Sequence, residues 1–183
     1  RHDIVSERFA YLERKLDALY LTTLGERNYY PKGNFLEETI TSVLDQTYKN
    51  IEYFIIDGGS NDNSLSIIKK YEKYLKGWIS EKDEGQSSAI NRGFRMTTGE
   101  IFTWINSDDL LKSDAVESVI PYFTNQDVVL INGDAEVINE ESKHITYSNG
   151  NSVDYKSLLT NLQDGLIQPS TFFRSGIFSQ VGL

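Results

Sequence analysis

Three short acidic segments follow apolar runs in this sequence, and together they could hold a metal cation. Asp57 follows IEYFII, Asp83 lies just after GWIS, and EIFTWI leads into NSDD, which carries Asp108 and Asp109. Carboxylates gathered around one crevice repel one another unless a counterion lies between them. Because the donors are oxygens and neither histidine is near in sequence, we expect Mg2+ or Mn2+. One or two carboxylates would bind it, with water and phosphate oxygens completing the coordination.

The same residues also have structural interpretations, which the sequence leaves open. Asp57 begins DGGSND, where glycines allow a tight turn, and its carboxylate could accept hydrogen bonds from the N–H groups of that turn. The stretch NSDD could cap the segment that follows it. Arg92 could face a ligand phosphate, or it could pair with Glu81 or Asp83 at the surface. A metal site therefore requires a fold that brings the acidic segments together.

The residues around these segments alternate between strand and helix patterns. Buried strands are predicted for IEYFII, GWIS, EIFTWI and DVVLI, and helices for residues 36–44, for the segment after DGGSND, for QSSAINRGFRM and for the segment after Ser113. This order predicts an α/β fold, with a largely parallel sheet flanked by helices on both faces. Ligands of such sheets bind at the carboxyl ends of the strands, so the functional loops should follow Ile56, Ser80 and Ile105.

The later part of the chain has a different pattern. Two alternating runs in DAEVINEESKHITYS flank a polar turn at residues 139–142 and predict a small antiparallel β-hairpin. Residues 154–163 have a helical pattern, and STFFR predicts a short strand. The parallel sheet should therefore be followed by a small antiparallel element.

The beginning of the chain has apolar residues at spacings of three and four over residues 3–20, which predicts an amphipathic helix. We assign residues 1–22 to this helix or appendage and residues 23–183 to the main domain. The helix would pack on its own domain or on the second copy of a homodimer. A membrane-surface or partner helix is the alternative, and its mixed rather than basic polar face favours packing.

The composition limits the class of protein. The chain has 183 residues and 39% hydrophobic content, which suits one domain with a core and a short appendage. Its formal net charge of −9 and the absence of a basic patch argue against a nucleic-acid partner. No apolar run approaches the roughly 20 residues needed to cross a bilayer, so we expect a cytoplasmic protein. It begins without methionine and ends abruptly, so we expect a piece of a longer chain.

Five segments in order resemble the family 2 glycosyltransferases of the GT-A fold. They are GNFLEETITSVLDQTY, IEYFIIDGGSNDNS, SEKDEGQSSAINRGF, TGEIFTWINSDDLL and QPSTFFR, and the resemblance extends from about Tyr30 to Leu183. It implies a GT-A domain over residues 23–183 that is truncated at its C-terminus. It also implies inverting transfer of a sugar from a nucleotide-diphosphate sugar to an acceptor hydroxyl.

The resemblance also implies roles for individual residues. Asp57 resembles the family's base-contacting aspartate, and Asp83 resembles its second donor-site aspartate. The NSDD stretch is similar to the family's DxD motif, with Asp108 at the metal position. The residues expected to bind the nucleotide sugar are Tyr30, Asp57, Asp83, Arg92, Asn106, Ser107 and Asp108. The expected metal ligands are Asp108 and Asp109, and Gln168, Pro169 and Ser170 should border the acceptor.

Two departures from the family pattern leave other functions open. Asn106 replaces the first aspartate of the DxD motif, and the apolar strand that opens the family domain has no clear counterpart before Tyr30. The family's general base lies beyond Leu183, so the catalytic residue is unassigned. Nothing in the local pattern places Glu136, Glu140, Glu141 or Asp164 in the crevice.

Three alternatives to a glycosyltransferase follow from these departures and from the fold. A non-catalytic nucleotide-sugar or saccharide binding module, or an inactive relative, fits the replaced aspartate and the missing base. A nucleotidyltransferase would need a glycine-rich basic loop near the N-terminus, which is absent from the sequence. A purely structural protein would leave three acidic loops at one sheet edge unexplained.

The resemblance finally implies partners and a location. The donor is a nucleotide-diphosphate sugar, and the acceptor is a saccharide or a lipid-linked molecule in bacterial surface polysaccharide or glycoconjugate synthesis. Such donors are cytosolic in bacteria. We therefore expect a cytoplasmic enzyme, with transient contact at the inner face of the membrane.

Overall fold

The computed structural model describes residues 18–24, 33–150 and 166–181. The strands are β1 (Ala18–Leu24), β2 (Ile51–Asp57), β3 (Gly77–Ser80), β4 (Ile101–Asn106), β5 (Leu130–Asn132), β6 (Ala135–Ile138), β7 (His144–Ser148) and β8 (Thr171–Arg174). Within the described residues, six of these strands form one sheet in the order β3-β2-β1-β4-β8-β5, and β6 and β7 form a separate hairpin. The helices are α1 (Gly33–Leu44), α2 (Ser64–Tyr71), α3 (Gln86–Met96), α4 (Ala115–Val119) and α5 (Phe178–Val181). The predicted strands IEYFII, GWIS, EIFTWI and STFFR, the hairpin and helix α3 are confirmed, whereas the strand predicted for DVVLI forms only over Leu130–Asn132.

The sheet is largely parallel, as predicted. β1, β2, β3 and β4 run in one direction, β8 is antiparallel to β4, and β5 is antiparallel to β8. The chain runs outward from β1 through β2 to β3 and then returns to place β4 on the other side of β1. A reversal of strand order at this point opens a crevice at the carboxyl ends, where α/β proteins bind ligands.

The sheet separates two apolar cores, because alternate side chains of a strand point to opposite faces. Tyr53 and Ile55 of β2 belong to the core under α1, α2 and α4, whereas Phe54 and Ile56 belong to the core under α3 and α5. β4 divides in the same way, with Ile101 and Ile105 on the first face and Phe102 on the second. Burial on both faces explains why these strands are nearly continuous apolar runs.

The N-terminal prediction requires a correction. Residues 3–17 of the helix predicted over residues 3–20 lie outside the described residues, but residues 18–20 form the start of β1 rather than a helical turn. β1 pairs with β2 over seven register positions and with β4 over six, so backbone pairing with distant segments overrides the local helical spacing. The boundary placed between residues 22 and 23 falls inside this strand. β1 occupies the place of the opening strand that the sequence had not revealed.

Two further predictions concern other parts of the chain. The helix predicted over residues 154–163 lies outside the described residues. Among the helices that are described, none combines the length and apolar character needed to cross a bilayer.

Candidate functional site

The loops after β2, β3 and β4 meet at one edge of the sheet. Register places Asp57 beside Leu24 of β1 and beside Ser80 of β3, and it places Asn106 beside Thr23. The carboxyl ends of β2, β3 and β4 therefore lie together, and only β1 separates β2 from β4. This is the edge at which the sequence predicted the functional loops.

Asp57 is completely buried, and its own loop satisfies its carboxylate. Ser60 donates its hydroxyl to Oδ1 at 2.5 Å and its backbone N–H at 3.1 Å, and Ser80 donates its hydroxyl to Oδ2 at 2.6 Å. Asp57 therefore accepts a hydrogen bond from an N–H group of its own turn, as in the structural interpretation of the sequence. It lies at the predicted edge of the sheet, enclosed by its own loop and by Ser80.

Glycines let the loop after β3 pack against the loop after β2. A Cβ at Gly58 would lie 3.1 Å from Oδ2 of Asp83, and a Cβ at Gly59 would lie 3.1 Å from the backbone nitrogen of Lys82. Gly59 also has a φ of 88°, which other residues rarely adopt. Asp83 accepts the N–H of Gly85 at 2.8 Å, immediately before α3. These contacts hold Asp57 and Asp83 in adjacent loops.

Arg92 on α3 forms an ion pair in the structure. Its Nη2 lies 2.7 Å from Oε2 of Glu81, and both side chains are substantially exposed to solvent. Of the two interpretations of Arg92, surface pairing is the one observed. A phosphate that binds Arg92 would compete with Glu81 for this guanidinium.

Asn106, at the end of β4, is the centre of a hydrogen-bond network. Its Nδ2 donates to Oδ2 of Asp109 at 2.9 Å and to Oε1 of Gln168 at 2.8 Å. Its Oδ1 accepts from Nε2 of Gln86 at 2.6 Å. The backbone N–H of Asn106 also donates to Oδ2 of Asp109, at 3.2 Å. Asn106 thereby joins the start of α3, the NSDD loop and the segment of Gln168.

The NSDD loop presents its two aspartates differently. Thr39 of α1 donates its hydroxyl to the carbonyl oxygens of Ser107 and Asp109, each at 2.9 Å, and so fixes the loop to the first core. Ser107 is buried, Asp109 is half-buried and Asp108 is exposed. Burial raises the pKa of the Asp109 carboxyl above its usual range. The charge of Asp108 acts in the same direction, and the hydrogen bonds from Asn106 oppose both.

The donor set fits a divalent ion bound by few protein ligands. Asp108 makes no side-chain hydrogen bond within the described residues, and Asp109 uses only Oδ2 in its bonds to Asn106. No group of three or more His, Cys, Asp or Glu side chains poised to hold a metal is found in the described part of the chain. Asp108, with Asp109 beside it, could hold Mg2+ or Mn2+ if water and ligand oxygens supplied the remaining positions. Asn106 is a poorer candidate ligand than Asp108, because its amide is neutral and its oxygen already accepts from Nε2 of Gln86.

A cleft of about 520 Å³ opens beside the two aspartates. Asp108 and Asp109, α4, the β6–β7 hairpin and the segment after Gln168 form its walls, and Pro169 and Ser170 line it. Gln168 contributes differently, through its bond to Asn106. The cleft combines apolar and acidic side chains, including Leu110, Leu111, Asp114, Asp134, Ile138 and Phe172.

Two glutamates lie closer to the aspartates than the sequence suggested. Glu136 lines the cleft, and Glu140 lines a smaller depression that also contains Asp108. Glu136 bonds Lys112 at 2.7 Å and His144 at 2.8 Å, and these two partners lower the pKa of its carboxyl. The hairpin folds back over the NSDD loop, a contact that local sequence cannot encode. Tyr30 and Asp164 lie outside the described residues.

The chain is similar in sequence to known glycosyltransferases. The family described as Glycosyl transferase family 2 matches residues 28–181. An uncharacterised glycosyltransferase of Nostoc sp. is 32% identical over 119 residues, or 63% of this chain and 37% of that protein. One from Rickettsia conorii is 30% identical over 167 residues, or 82% of this chain and 27% of that protein. The chain therefore spans well under two thirds of the length of these relatives.

Solved structures share the fold at low sequence identity. Residues 1–349 of TarS of S. aureus, in complex with UDP-GlcNAc, have a TM-score of 0.69 at 14% identity, covering 91% of this chain and 47% of that fragment. A mannosyltransferase of Pyrobaculum calidifontis in complex with GDP-Man and Mn2+ has a TM-score of 0.66 at 14% identity, covering 97% of this chain and 55% of that chain. These neighbours have the GT-A fold, and the order of elements described above is that fold.

Proposed function

The chain belongs to glycosyl transferase family 2, and from this premise we propose that it transfers a sugar from a nucleotide-diphosphate donor to an acceptor hydroxyl, with inversion at the sugar. The observation that carries the proposal is the meeting of three loops at the edge beside β1 and β4, with Asp108 exposed there. A chain of net charge −9 binds an anionic diphosphate only where local groups offset repulsion.

Asp108 is the residue that we propose to hold the donor's metal ion. It is exposed within the cleft and lacks a competing partner among the described residues, whereas Asp109 is held by Asn106. A divalent ion at Asp108 would neutralise the negative charge that develops on the departing nucleoside diphosphate. Asp109, which lies next to Asp108, would orient the Asp108 carboxylate toward the metal. The Mn2+ in the Pyrobaculum mannosyltransferase complex supports this proposal.

Asp57, Asp83 and Arg92 would then form the nucleotide side of the site, with Tyr30 stacking on the base. Asp57 and Asp83 lie in two packed loops at the correct edge. Arg92 would exchange Glu81 for a donor phosphate. We place the acceptor in the cleft, with Pro169 and Ser170 along its border. The acceptor hydroxyl would attack the sugar carbon from the side opposite the diphosphate, as inversion requires. The bond from that carbon to the diphosphate would break, and the unassigned general base would take the hydroxyl proton.

We also propose a role in bacterial surface polysaccharide or glycoconjugate synthesis, which is compatible with the bacterial origin of the glycosyltransferase relatives. Because nucleotide sugars are cytosolic in bacteria, the enzyme would act in the cytoplasm. A lipid-linked acceptor would bring it transiently to the inner face of the membrane. Packing of the N-terminal segment on a second copy remains our proposal for a homodimer.

A non-catalytic nucleotide-sugar or saccharide binding module is the second candidate function. The observation that favours it is Asn106, because an amide replaces a carboxylate at the first position of the DxD-like motif and bonds Gln86, Asp109 and Gln168 within the protein. Such a module would bind the donor without releasing its sugar.

Two measurements on the full chain distinguish these functions. The first is thermal stability with UDP, GDP or dTDP, with and without Mn2+, because a ligand of the native state raises the melting temperature. The second is release of nucleoside diphosphate from UDP-GlcNAc and GDP-Man by wild type, Asp108→Ala and the remote exposed control Asp127→Ala.

For an enzyme, we expect turnover in the wild type and in Asp127→Ala, and a loss of at least about 100-fold in Asp108→Ala. A nucleotide-dependent thermal shift without turnover in any variant would support the binding module. No shift with any nucleotide would contradict both functions.

A further inference from the structure

Four side chains and one carbonyl form a continuous hydrogen-bonded relay across the site. Gln86 donates to Asn106 at 2.6 Å, and Asn106 donates to Gln168 at 2.8 Å. Gln168 donates to the carbonyl oxygen of Trp104 at 2.5 Å, and Asn106 also donates to Asp109 at 2.9 Å. Gln86 is the first residue of α3, and Gln168 begins the segment that borders the cleft.

The groups at the ends of the relay determine which side chain donates and which accepts in each hydrogen bond. The Trp104 carbonyl can only accept, so Gln168 must turn its NH2 group toward Trp104 and its oxygen toward Asn106. The oxygen of Gln168 therefore requires a donor from position 106. A carboxylate at Asp109 also requires a donor from that position. The oxygen of Asn106 is then left to accept from Gln86.

An amide is the only side chain of this size and shape that satisfies position 106. It supplies two N–H donors, which bond Asp109 and Gln168, and an oxygen that accepts from Gln86. Aspartate has nearly the same shape but no donor when ionised. It would place its oxygens against those of Asp109 and Gln168, which replaces two attractions by two repulsions.

We propose that Asn106 is a positioning residue, which holds the α3 start, the Asp108–Asp109 pair and the Gln168 segment in register around the bound donor and acceptor. This inference rests on the proposed transferase function. The proposal explains why asparagine replaces the first aspartate of the DxD motif. Asn106 does not bind the metal, and its hydrogen bonds instead join the donor side of the site to the acceptor side. Asn106 acts through Asp109 and Gln168 and does not itself touch the reacting atoms.

The first test measures kcat and donor KM for sugar transfer by two variants, Asn106→Ala and Asn106→Asp. Misplacing catalytic groups lowers kcat by on the order of 10-fold to 100-fold. We expect losses of that size for Asn106→Ala, with donor KM changed less than about 3-fold. Asn106→Asp should be worse than Asn106→Ala although it is the closer match in shape. If Asn106→Asp instead keeps the wild-type kcat and lowers the Mn2+ concentration needed for half-maximal rate, position 106 is a metal ligand and the proposal is overturned.

The second test is a double-mutant cycle of Asn106→Ala and Gln168→Ala. Members of one relay should be non-additive, so the double variant should lose no more kcat than the worse single variant. Losses that multiply would contradict the relay. A purely structural role would lower the melting temperature of the single variants and leave kcat unchanged, which would also overturn the proposal.

A third readout does not depend on turnover. In the NMR spectrum, the side-chain NH2 resonances of Asn106 and Gln168 should both carry hydrogen-bond shifts, and Asn106→Ala should move the Gln168 resonance. An unaltered Gln168 resonance would exclude the relay. A wild-type protein that shows these shifts but transfers no sugar would disprove the proposed function while leaving the relay in place.

Discussion

Ser80 donates its hydroxyl to the carboxylate of Asp57 at 2.6 Å, and the same two residues face each other in the register of β2 and β3. Ser60 donates its N–H and its hydroxyl to the other oxygen of the same carboxylate, Oδ1. A fully buried carboxylate with three donors is satisfied before any ligand arrives. Asp57 therefore contributes to the fold of the crevice whether or not it also contacts a nucleotide base.

Asp57→Asn should lower the free energy of unfolding by about 1–3 kcal/mol, because an amide NH2 would face donors that need an acceptor. Urea unfolding followed by far-UV circular dichroism measures this loss, with the exposed Asp127→Asn as the matched control. Unchanged stability combined with lost nucleotide binding would instead make Asp57 a ligand-binding residue without a structural role.

Gly59→Ala should also destabilise the crevice wall. Gly59 has a φ of 88°, and an added Cβ would lie 3.1 Å from the Lys82 nitrogen. We expect a loss of about 1–3 kcal/mol, whereas Gly176→Ala, where no atom lies within 4 Å of the added Cβ, should change stability by under about 0.5 kcal/mol. Equal effects at the two positions would contradict the strain at Gly59.

The strands of the sheet were largely predictable, because burial on both faces selects apolar runs. Helix α3 matches the predicted QSSAINRGFRM over all of Gln86–Met96. β1 was missed because its residues continue a helical spacing, and its strand form depends on β2 and β4, which lie far away in sequence. Local periodicity carries no information about such partners.

The acidic edge of the site was also predictable, but its internal bonds were not. A strand end can be located from the sequence, and with it Asp57 and Asn106. The bond between Asn106 and Gln168 joins residues 62 positions apart, and the Glu136–Lys112 pair joins residues 24 positions apart. These contacts arise only when the hairpin and the last segment fold back over the NSDD loop.

The carboxylate of Glu52 should make the free energy of unfolding depend on pH in the acid range. Burial acts to raise its pKa, but hydrogen bonds from Thr98 and the Lys76 ammonium outweigh burial and lower the pKa below 4.5. A lowered carboxyl pKa contributes stability that is present above the unfolded value and is lost as pH falls through the folded value. Glu52→Gln should therefore be less stable than wild type at pH 7, by about 0.5–1.5 kcal/mol.

Urea unfolding of wild type and Glu52→Gln between pH 7 and pH 3 measures this dependence. The difference in unfolding free energy should shrink toward pH 3, whereas Glu72→Gln, at an exposed glutamate, should differ little from wild type throughout. A difference that stays constant with pH would show that the charge of Glu52 is not its source.

Glu81→Gln should release Arg92 for a donor phosphate. The Arg92–Glu81 pair is exposed, so its loss should cost under about 0.5 kcal/mol of stability. If Arg92 binds the diphosphate, Glu81→Gln should tighten UDP binding about twofold to fivefold by calorimetry, and Arg92→Ala should weaken it. Glu84→Gln removes the same charge from the same loop without engaging Arg92. An equal gain in Glu84→Gln would indicate general electrostatics rather than release of Arg92.

Ser118→Trp should block the acceptor cleft and spare the donor site. Ser118 lines the cleft from α4, and its hydroxyl donates to the carbonyl oxygen of Ala115. Ser66 on α2 makes the same local bond to Asn63, so Ser66→Trp is a control with equal added bulk in an equivalent helical setting. The Ser118 variant should keep the thermal shift with UDP and Mn2+ and lose at least about 10-fold in transfer to any saccharide that wild type glycosylates. Full transfer by Ser118→Trp, or equal loss in both variants, would place the acceptor outside this cleft.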